Sequence, residues 1–329
     1  MATALQMCSR EWYPVVAFLA HCGAEGAPAG AVRDRFGSLP PPGAYALAGA
    51  GFTIEEASGG RLRLAGAPPP LAAGAVRALL SREIDSVDVR VFPVLDSTNE
   101  YVLSAGGAAA ASNVELIVAA ETQTRGRGRW GRAWASPPFM GLWFSWWCRA
   151  RALPPQIVAA AAGVGVLRAM RGAGAADARL RWPNDICIGG GKAGGILVEC
   201  GPGGCAVGVG LNVRGDAAEY VDADRAPCRP VSIAQAAGMA PERDALLARA
   251  CAEIVRAARA VARGDGAAVL DAWRDAQDLR GKRVCLRIKD RVRAGCVREV
   301  DPARGIRLDE HAEWFMPHAV VRVEEGCER

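Results

Sequence analysis

Apolar residues change their spacing several times along the chain, and each change marks an element. Residues 12–21 have helical spacing and 29–36 read as a second short helix. Strands follow at Gly51-Phe52-Thr53-Ile54 and Arg61-Leu62-Arg63-Leu64, around the turn Ser58-Gly59-Gly60. That order suits a winged helix-turn-helix-like module. Gly66-Ala67-Pro68-Pro69-Pro70 then breaks the pattern, because proline lacks the amide hydrogen that a helix or central strand needs. We place a boundary near residue 80. Beyond it come a strand at 87–95, a helix after Ser97, strands at 114–121 and 142–147, and a long Ala-rich helix at 156–171. Short strands at 179–182, 186–188, 195–199 and 206–213 and a polar helical stretch at 243–273 complete the zone. Successive strands joined by glycine turns predict an α+β unit over 81–276, a mixed, largely antiparallel sheet with helices on one face. From Gly281 the periods shorten again: strands at 284–288, 293–300, 305–308, 314–316 and 320–323 predict an SH3-like β-barrel over 277–329.

Composition narrows the function classes. At 51% hydrophobic and 23% charged, the chain matches a soluble globular protein, and 329 residues suffice for two or three domains. The formal charge of +5 suits an anionic ligand but is too small to imply a nucleic-acid surface. Eleven cysteines show no C-x-x-C and no zinc spacing, so a reduced, cytoplasmic chain is expected. The start, with an acid and no basic region leading into an apolar core, predicts no export signal. No run of about eighteen uninterrupted apolar residues predicts a membrane span.

Chemistry concentrates in the middle zone. Arg125-Gly126-Arg127-Gly128-Arg129-Trp130-Gly131-Arg132 holds four arginines and three glycines between two predicted strands. Glycines let backbone N–H groups approach an anion, and guanidinium forks match phosphate or carboxylate oxygens. By composition alone, a solvated basic loop or an RNA contact reads equally well; its place at a sheet edge favours anion handling. Asp96-Ser97-Thr98-Asn99-Glu100 fits an S-x-x-E capping box, and Thr98 with Asn99 also offers donors and acceptors to a small polar ring. Arg181-Trp182-Pro183-Asn184-Asp185 and Lys192 are ordinary turn residues in isolation. Lys192 is alternatively a point charge where a carboxylate and a phosphate must meet. Gly208-Val209-Gly210-Leu211-Asn212-Val213 is a strand against which a ligand can lie. His21, His311 and His318 match no triad or metal spacing.

In order along the chain, Ser97-Thr98-Asn99, Glu121-Thr122-Gln123-Thr124 running into Gly126-Arg127-Gly128-Arg129, Arg181-Trp182-Pro183-Asn184-Asp185, Lys192-Ala193-Gly194-Gly195-Ile196-Leu197-Val198-Glu199 and Gly210-Leu211-Asn212 resemble the biotin protein ligases. The likeness is specific over residues 87–215 and looser at the terminal barrel. It implies a class II synthetase-like catalytic domain that joins biotin to AMP, then passes the biotinyl group to a lysine of a biotin carboxyl carrier protein. ATP and Mg2+ are the implied cofactors, with biotin as substrate. Ser97, Thr98, Asn99 and Gln123 are similar to the family's contacts to the ureido ring. Arg127, Gly128 and Arg129 match a loop that closes over biotin, and Gly194 falls on the same side. Trp134 matches a tryptophan that stacks on adenine, with Arg127, Arg132, Asn184, Asp185 and Asn212 toward the nucleotide. Asp185 is the implied metal contact. Lys192 matches a lysine touching both carboxylate and phosphate, and with Arg129 is the implied catalytic pair.

Two positions depart from the family. The usual lysine before Trp-Pro-Asn-Asp is Arg181 here, which keeps charge and changes reach. Where a recognition helix is expected, the first module reads Ser38-Leu39-Pro40-Pro41-Pro42-Gly43-Ala44-Tyr45-Ala46-Leu47, and residues 1–80 hold six arginines against five acids. Operator DNA binding is therefore expected to be lost, leaving a degenerate, structural module. Alternative readings are a biotin-responsive repressor, a lipoate or octanoate ligase, and an RNA-binding protein; a homodimer is left open.

Overall fold

Three sheets organise the chain in a computed structural model that describes residues 6–47, 50–111, 113–149, 153–221, 228–289 and 291–326. The first contains β1 (Gln6–Met7), β2 (Ala27–Pro28), β3 (Gly43–Leu47), β4 (Ala50–Ala57) and β5 (Arg61–Ala65), in the order β1-β3-β4-β5-β2. Helices α1 (Tyr13–Cys22) and α2 (Ala29–Phe36) pack with it. Alternation in β4 turns Phe52 and Ile54 inward. No helix forms where a recognition helix was expected: after Pro40-Pro41-Pro42 the chain enters β3, parallel to β1 and antiparallel to β4.

The linker then runs to α3 (Ala73–Leu80), whose Val76 and Leu80 join the core of the central sheet. That sheet comprises β6 (Val87–Leu95), β7 (Glu115–Gln123), β8 (Gly141–Cys148), β9 (Arg179–Arg181), β10 (Asp185–Ile188), β11 (Gly191–Gly201) and β12 (Gly204–Asn212). Its order is β6-β7-β8-β12-β11-β10-β9, with β6 parallel to β7 and every other pair antiparallel. The mixed, largely antiparallel sheet is thus as expected, but one-sided coverage is not. α4 (Thr98–Ala111) covers Leu116, Val118 and Trp147, while α5 (Pro155–Gly172) packs on the opposite face beside Ile117 and Ala119. β8 is buried at every position and β7 at all but its last, so both faces need a cover.

After α6 (Ile233–Ala237), the predicted 243–273 helix divides at Gly264, whose φ of 89° ends α7 (Arg243–Ala262) before α8 (Ala267–Asp275). The third sheet holds β13 (Arg283–Ile288), β14 (Arg291–Asp301), β15 (Gly305–Leu308) and β16 (Arg322–Glu325), in the order β15-β14-β13-β16. The strand expected at 314–316 is reduced to one bridge, Ile306 to Phe315. The all-reduced cysteine reading is corrected at Cys200 and Cys205, which are bonded where the β11–β12 register sets them opposite each other. Among the described residues no helix is long and apolar enough to cross a membrane.

Candidate active site

A cavity of about 820 Å³ opens over β7, β8, β11 and β12. One end is a neutral polar nest. β6 ends at Leu95, and Ser97, Thr98 and Asn99 start α4, all buried. Backbone N–H and Oγ1 of Thr98 both reach Gln123 Oε1, at 2.9 and 3.2 Å, and Gln123 Nε2 donates to Ser136 Oγ at 3.0 Å. Asn99 Nδ2 donates to Leu197 O (3.2 Å) and to the Glu199 carboxylate (2.8 Å). Beneath them Ser145 Oγ lies 2.7 Å from Thr98 Oγ1 and 2.6 Å from Asn99 Oδ1. Gly208 must be glycine, since a Cβ there would sit 2.3 Å from Asn99 Oδ1. Ser145 belongs to none of the motifs, and its one signal in the sequence is to be the only hydroxyl in the apolar run from Leu142 to Trp147. Glu199 closes the Lys192–Glu199 motif, which by itself assigns it no role. The expected capping box does not form among the described residues: Glu100 turns its carboxylate to Arg127 at 3.3 Å.

The arginine–glycine loop is held at both ends. Trp134 N donates to Gly126 O (2.9 Å) and Gly128 N to Arg132 O (2.7 Å), closing a hairpin whose Gly126 leaves no room for a Cβ beside Trp134 O. Its tip is fixed by the terminal barrel. Arg129 donates to the carbonyls of Pro317 and Val320, Trp130 Nε1 to Val320 O, and Arg132 to Val321 O. Burial pushes the Arg129 guanidinium down to about 10, with Asp185 opposing and Arg132 reinforcing that shift. It stays charged at neutral pH. Among the described residues its acceptors are uncharged, since only Asn184 Oδ1, at 3.5 Å, joins the two carbonyls. A cation largely stripped of water and hydrogen-bonded only to uncharged acceptors favours an incoming anion.

The far end combines cations with an aromatic face. Lys192 Nζ is 2.6 Å from Asp185 Oδ1 and 5.5 Å from the Trp134 ring centroid. The indole lies against Gly195 and Gly210, where a Cβ would come within 3.3 and 2.5 Å of it. Asn184 is fixed by a bond from its Nδ2 to Ile196 O (2.9 Å). Asn212 donates to Val231 O (3.2 Å), while its Oδ1 and Trp134 Nε1 are buried without partners among the described residues, an acceptor and a donor that a ligand could satisfy. Arg181 also borders the cavity but is committed elsewhere, to Asp278 and Glu325.

The fold thus brings Ser97, Thr98, Asn99 and Gln123 to one end of a single cavity. Arg127, Gly128, Arg129 and Arg132 form its roof, and Trp134, Asn184, Asp185, Lys192 and Asn212 line the rest. Gly194 is not part of the lining; its lack of a side chain answers to Leu211 and Gly210 O, 2.5 and 2.6 Å from where a Cβ would be. No group of three or more His, Cys, Asp or Glu that could hold a metal occurs among the described residues. A magnesium ion held mainly by phosphates fits beside the single carboxylate of Asp185; an all-protein cage does not.

Fold and site together define a ligase-type enzyme, in which a polar nest adjoins a group of cations in one cavity. A family model described as the Biotin/lipoate A/B protein ligase family matches residues 91–216. The bifunctional ligase/repressor BirA of Salmonella typhimurium is 31% identical over 236 residues, 69% of this chain and 71% of that protein. The biotin–[acetyl-CoA-carboxylase] ligase of Mycobacterium tuberculosis is 35% identical over 165 residues, 48% of this chain and 59% of that one. The solved biotin protein ligase from Aquifex aeolicus in complex with biotin and ATP shares the fold, with a TM-score of 0.61 at 20% identity over 74% of this chain and 100% of that chain. The chain belongs to the biotin protein ligases.

Proposed function

We propose that this enzyme activates biotin with ATP to biotinyl-5'-AMP and transfers the biotinyl group to a lysine of a biotin carboxyl carrier protein. One observation carries the reading: Arg129 and Lys192, both largely withdrawn from water, share a cavity with the neutral nest of Thr98, Asn99 and Gln123. The nest suits an uncharged ureido ring, which needs donors and acceptors together. The cations suit the meeting of a carboxylate and a triphosphate.

In the first step a biotin carboxylate oxygen attacks the α-phosphorus, the bond to the β-phosphate oxygen breaks, and pyrophosphate departs. Lys192 and Arg129 lower the repulsion between the two anions, and the closed loop holds them in line. ATP would enter as its magnesium complex, and Asp185 would be the carboxylate available to that metal, which would draw charge from the phosphates. Trp134 offers its face to adenine, with Asn212 Oδ1 as an acceptor. Asn184, Arg127 and Arg132 complete the phosphate surroundings, and Ser97 and Gly128 border the ring and its chain. In the second step a neutral lysine amine attacks the acyl carbonyl, AMP leaves, and the amine's proton passes to solvent. We carry the three units at 1–80, 81–276 and 277–329 as the working domain division, with α3 packed on the second.

A repressor reading is not favoured, because β3 stands where a DNA-reading helix would be needed. The decisive experiment offers the full chain Mg-ATP, a carrier domain, and either biotin or lipoate. A carrier mass increased by one biotinyl group, with none from lipoate, is expected; lipoylation without biotinylation would sink the proposal.

A further inference from the structure

The first module forms a wall of the cavity. Arg10 and Glu11, in the turn before α1, and Tyr13 and Pro14, at its start, line the same space as Trp134 and Asn212. Its apolar core, built on Tyr13, Val16 and Phe52, continues without a break into Phe139, Met140, Ala217 and Tyr220. Those residues lie on the two segments that follow Trp134 and Asn212, and the segments are tied together, since Val213 N and Arg214 N both donate to Met140 O at 2.9 Å. Arg10 adds a polar clasp: its Nη2 donates to Tyr220 O at 2.7 Å. Tyr220 borders the cavity at 1% exposure, and its hydroxyl has no partner among the described residues. α1 also lies across β6 and β7, so the module is seated on the catalytic sheet and not held at the end of a linker.

We propose that the first module is part of the active site and that Arg10 is a positioning residue for the nucleotide, acting through the Tyr220 carbonyl on the 217–221 turn. This rests on the ligase reading given above. A charge-assisted bond from a guanidinium fixes a carbonyl more firmly than a neutral donor does. Freeing that carbonyl loosens the wall following Asn212 and leaves the ring nest, on α4, β7 and β8, untouched. A module used in this way has no need of a DNA-reading helix.

The test measures biotin-dependent exchange of pyrophosphate into ATP for the full chain and for Arg10→Ala and Arg10→Lys. Arg10→Ala is expected to raise KM for ATP by about tenfold, equivalent to ~1.4 kcal/mol. KM for biotin and the thermal midpoint should stay close to wild type, because Arg10 is exposed and off the ring nest. Arg10→Lys, which keeps a charged donor, should recover part of the loss. An unchanged KM for ATP in Arg10→Ala overturns this proposal alone, as does an equal rise in both KM values with a lowered melting point, the mark of a purely structural residue. Absence of biotin-dependent exchange in the wild-type chain overturns the ligase reading and this proposal with it.

Discussion

Ser145→Ala removes one oxygen and leaves every backbone element in place. The hydroxyl is fully buried in β8 and lies 2.7 Å from Thr98 Oγ1 and 2.6 Å from Asn99 Oδ1. Among the described residues Asn99 Oδ1 has no other partner, so the variant strands a buried acceptor. Leaving such a group unsatisfied costs about 1–3 kcal/mol, because its desolvation is no longer offset. If that cost falls on the ligand-ready arrangement of the nest, biotin binding weakens by roughly fivefold to a hundredfold. Part will fall on folding instead, as a drop of a few degrees in the melting midpoint. Titration calorimetry with biotin and no nucleotide reads the first effect directly. KM for ATP should move less than twofold, since Ser145 touches neither Trp134 nor Asn212. A double-mutant cycle with Asn99→Ala should be non-additive, as expected for contacting groups. A biotin Kd within twofold of wild type, or strictly additive losses, would refute the claim that Ser145 organises the nest.

Three further outcomes follow from the geometry. Lys192→Ala should depress biotin-dependent pyrophosphate exchange by about a hundredfold to a thousandfold, and near-normal exchange would overturn its role. Glu121→Gln should lower stability by roughly 3–5 kcal/mol in a denaturant titration, because Arg243, 3% exposed, loses its buried counter-charge. Burial pushes the Glu121 carboxyl up, but Arg243 and the amides of Leu71 and Phe139 bring it below its ordinary value of 4.5. Its stabilisation is therefore full above pH 4.5 and fades as pH falls through the lowered value, a component that acid unfolding of the glutamine variant should lack. Gly210→Val should raise KM for ATP by about tenfold or more, since a Cβ would lie 2.5 Å from the indole of Trp134; an unchanged KM would show that the ring's position is unimportant.

How much of this was legible depended on whether the signal sat in a side chain. Val87–Leu95, Ala29–Phe36 and Gly305–Leu308 were readable to the residue because apolar alternation or helical spacing ends at turn formers. Thr98, Gln123, Asn184 and Lys192 were readable because their chemistry recurs in motifs, and the fold does gather them. The barrel's hold on the loop was not, since Pro317, Val320 and Val321 contribute carbonyls that any sequence possesses. Two-sided coverage of the sheet was partly visible, in the apolar character of Leu142 to Trp147 on both faces with Ser145 as its one polar residue, which one helical layer cannot satisfy. The wall built by Arg10 and Tyr13 depends on packing between residues more than a hundred positions apart, which spacing does not encode.

The cations around the cavity differ in how their charge is compensated. Arg127 faces Glu100 and Glu199 at 3.3 and 3.7 Å, and Lys192 faces Asp185, so these cations are paired with carboxylates. Arg129 and Arg132, in contrast, bond only to uncharged oxygens among the described residues. Carbonyl groups of the barrel thus orient two guanidinium groups without neutralising them, and their attraction for an anion is retained. Had carboxylates done the same work, a triphosphate would have had to compete with them, and after pyrophosphate departed the loop would have relaxed onto its own acids. Neutral anchors set up no such competition with an anion. The orientation of these two arginines is then a property of the backbone of residues 317–321 as much as of the loop that carries them.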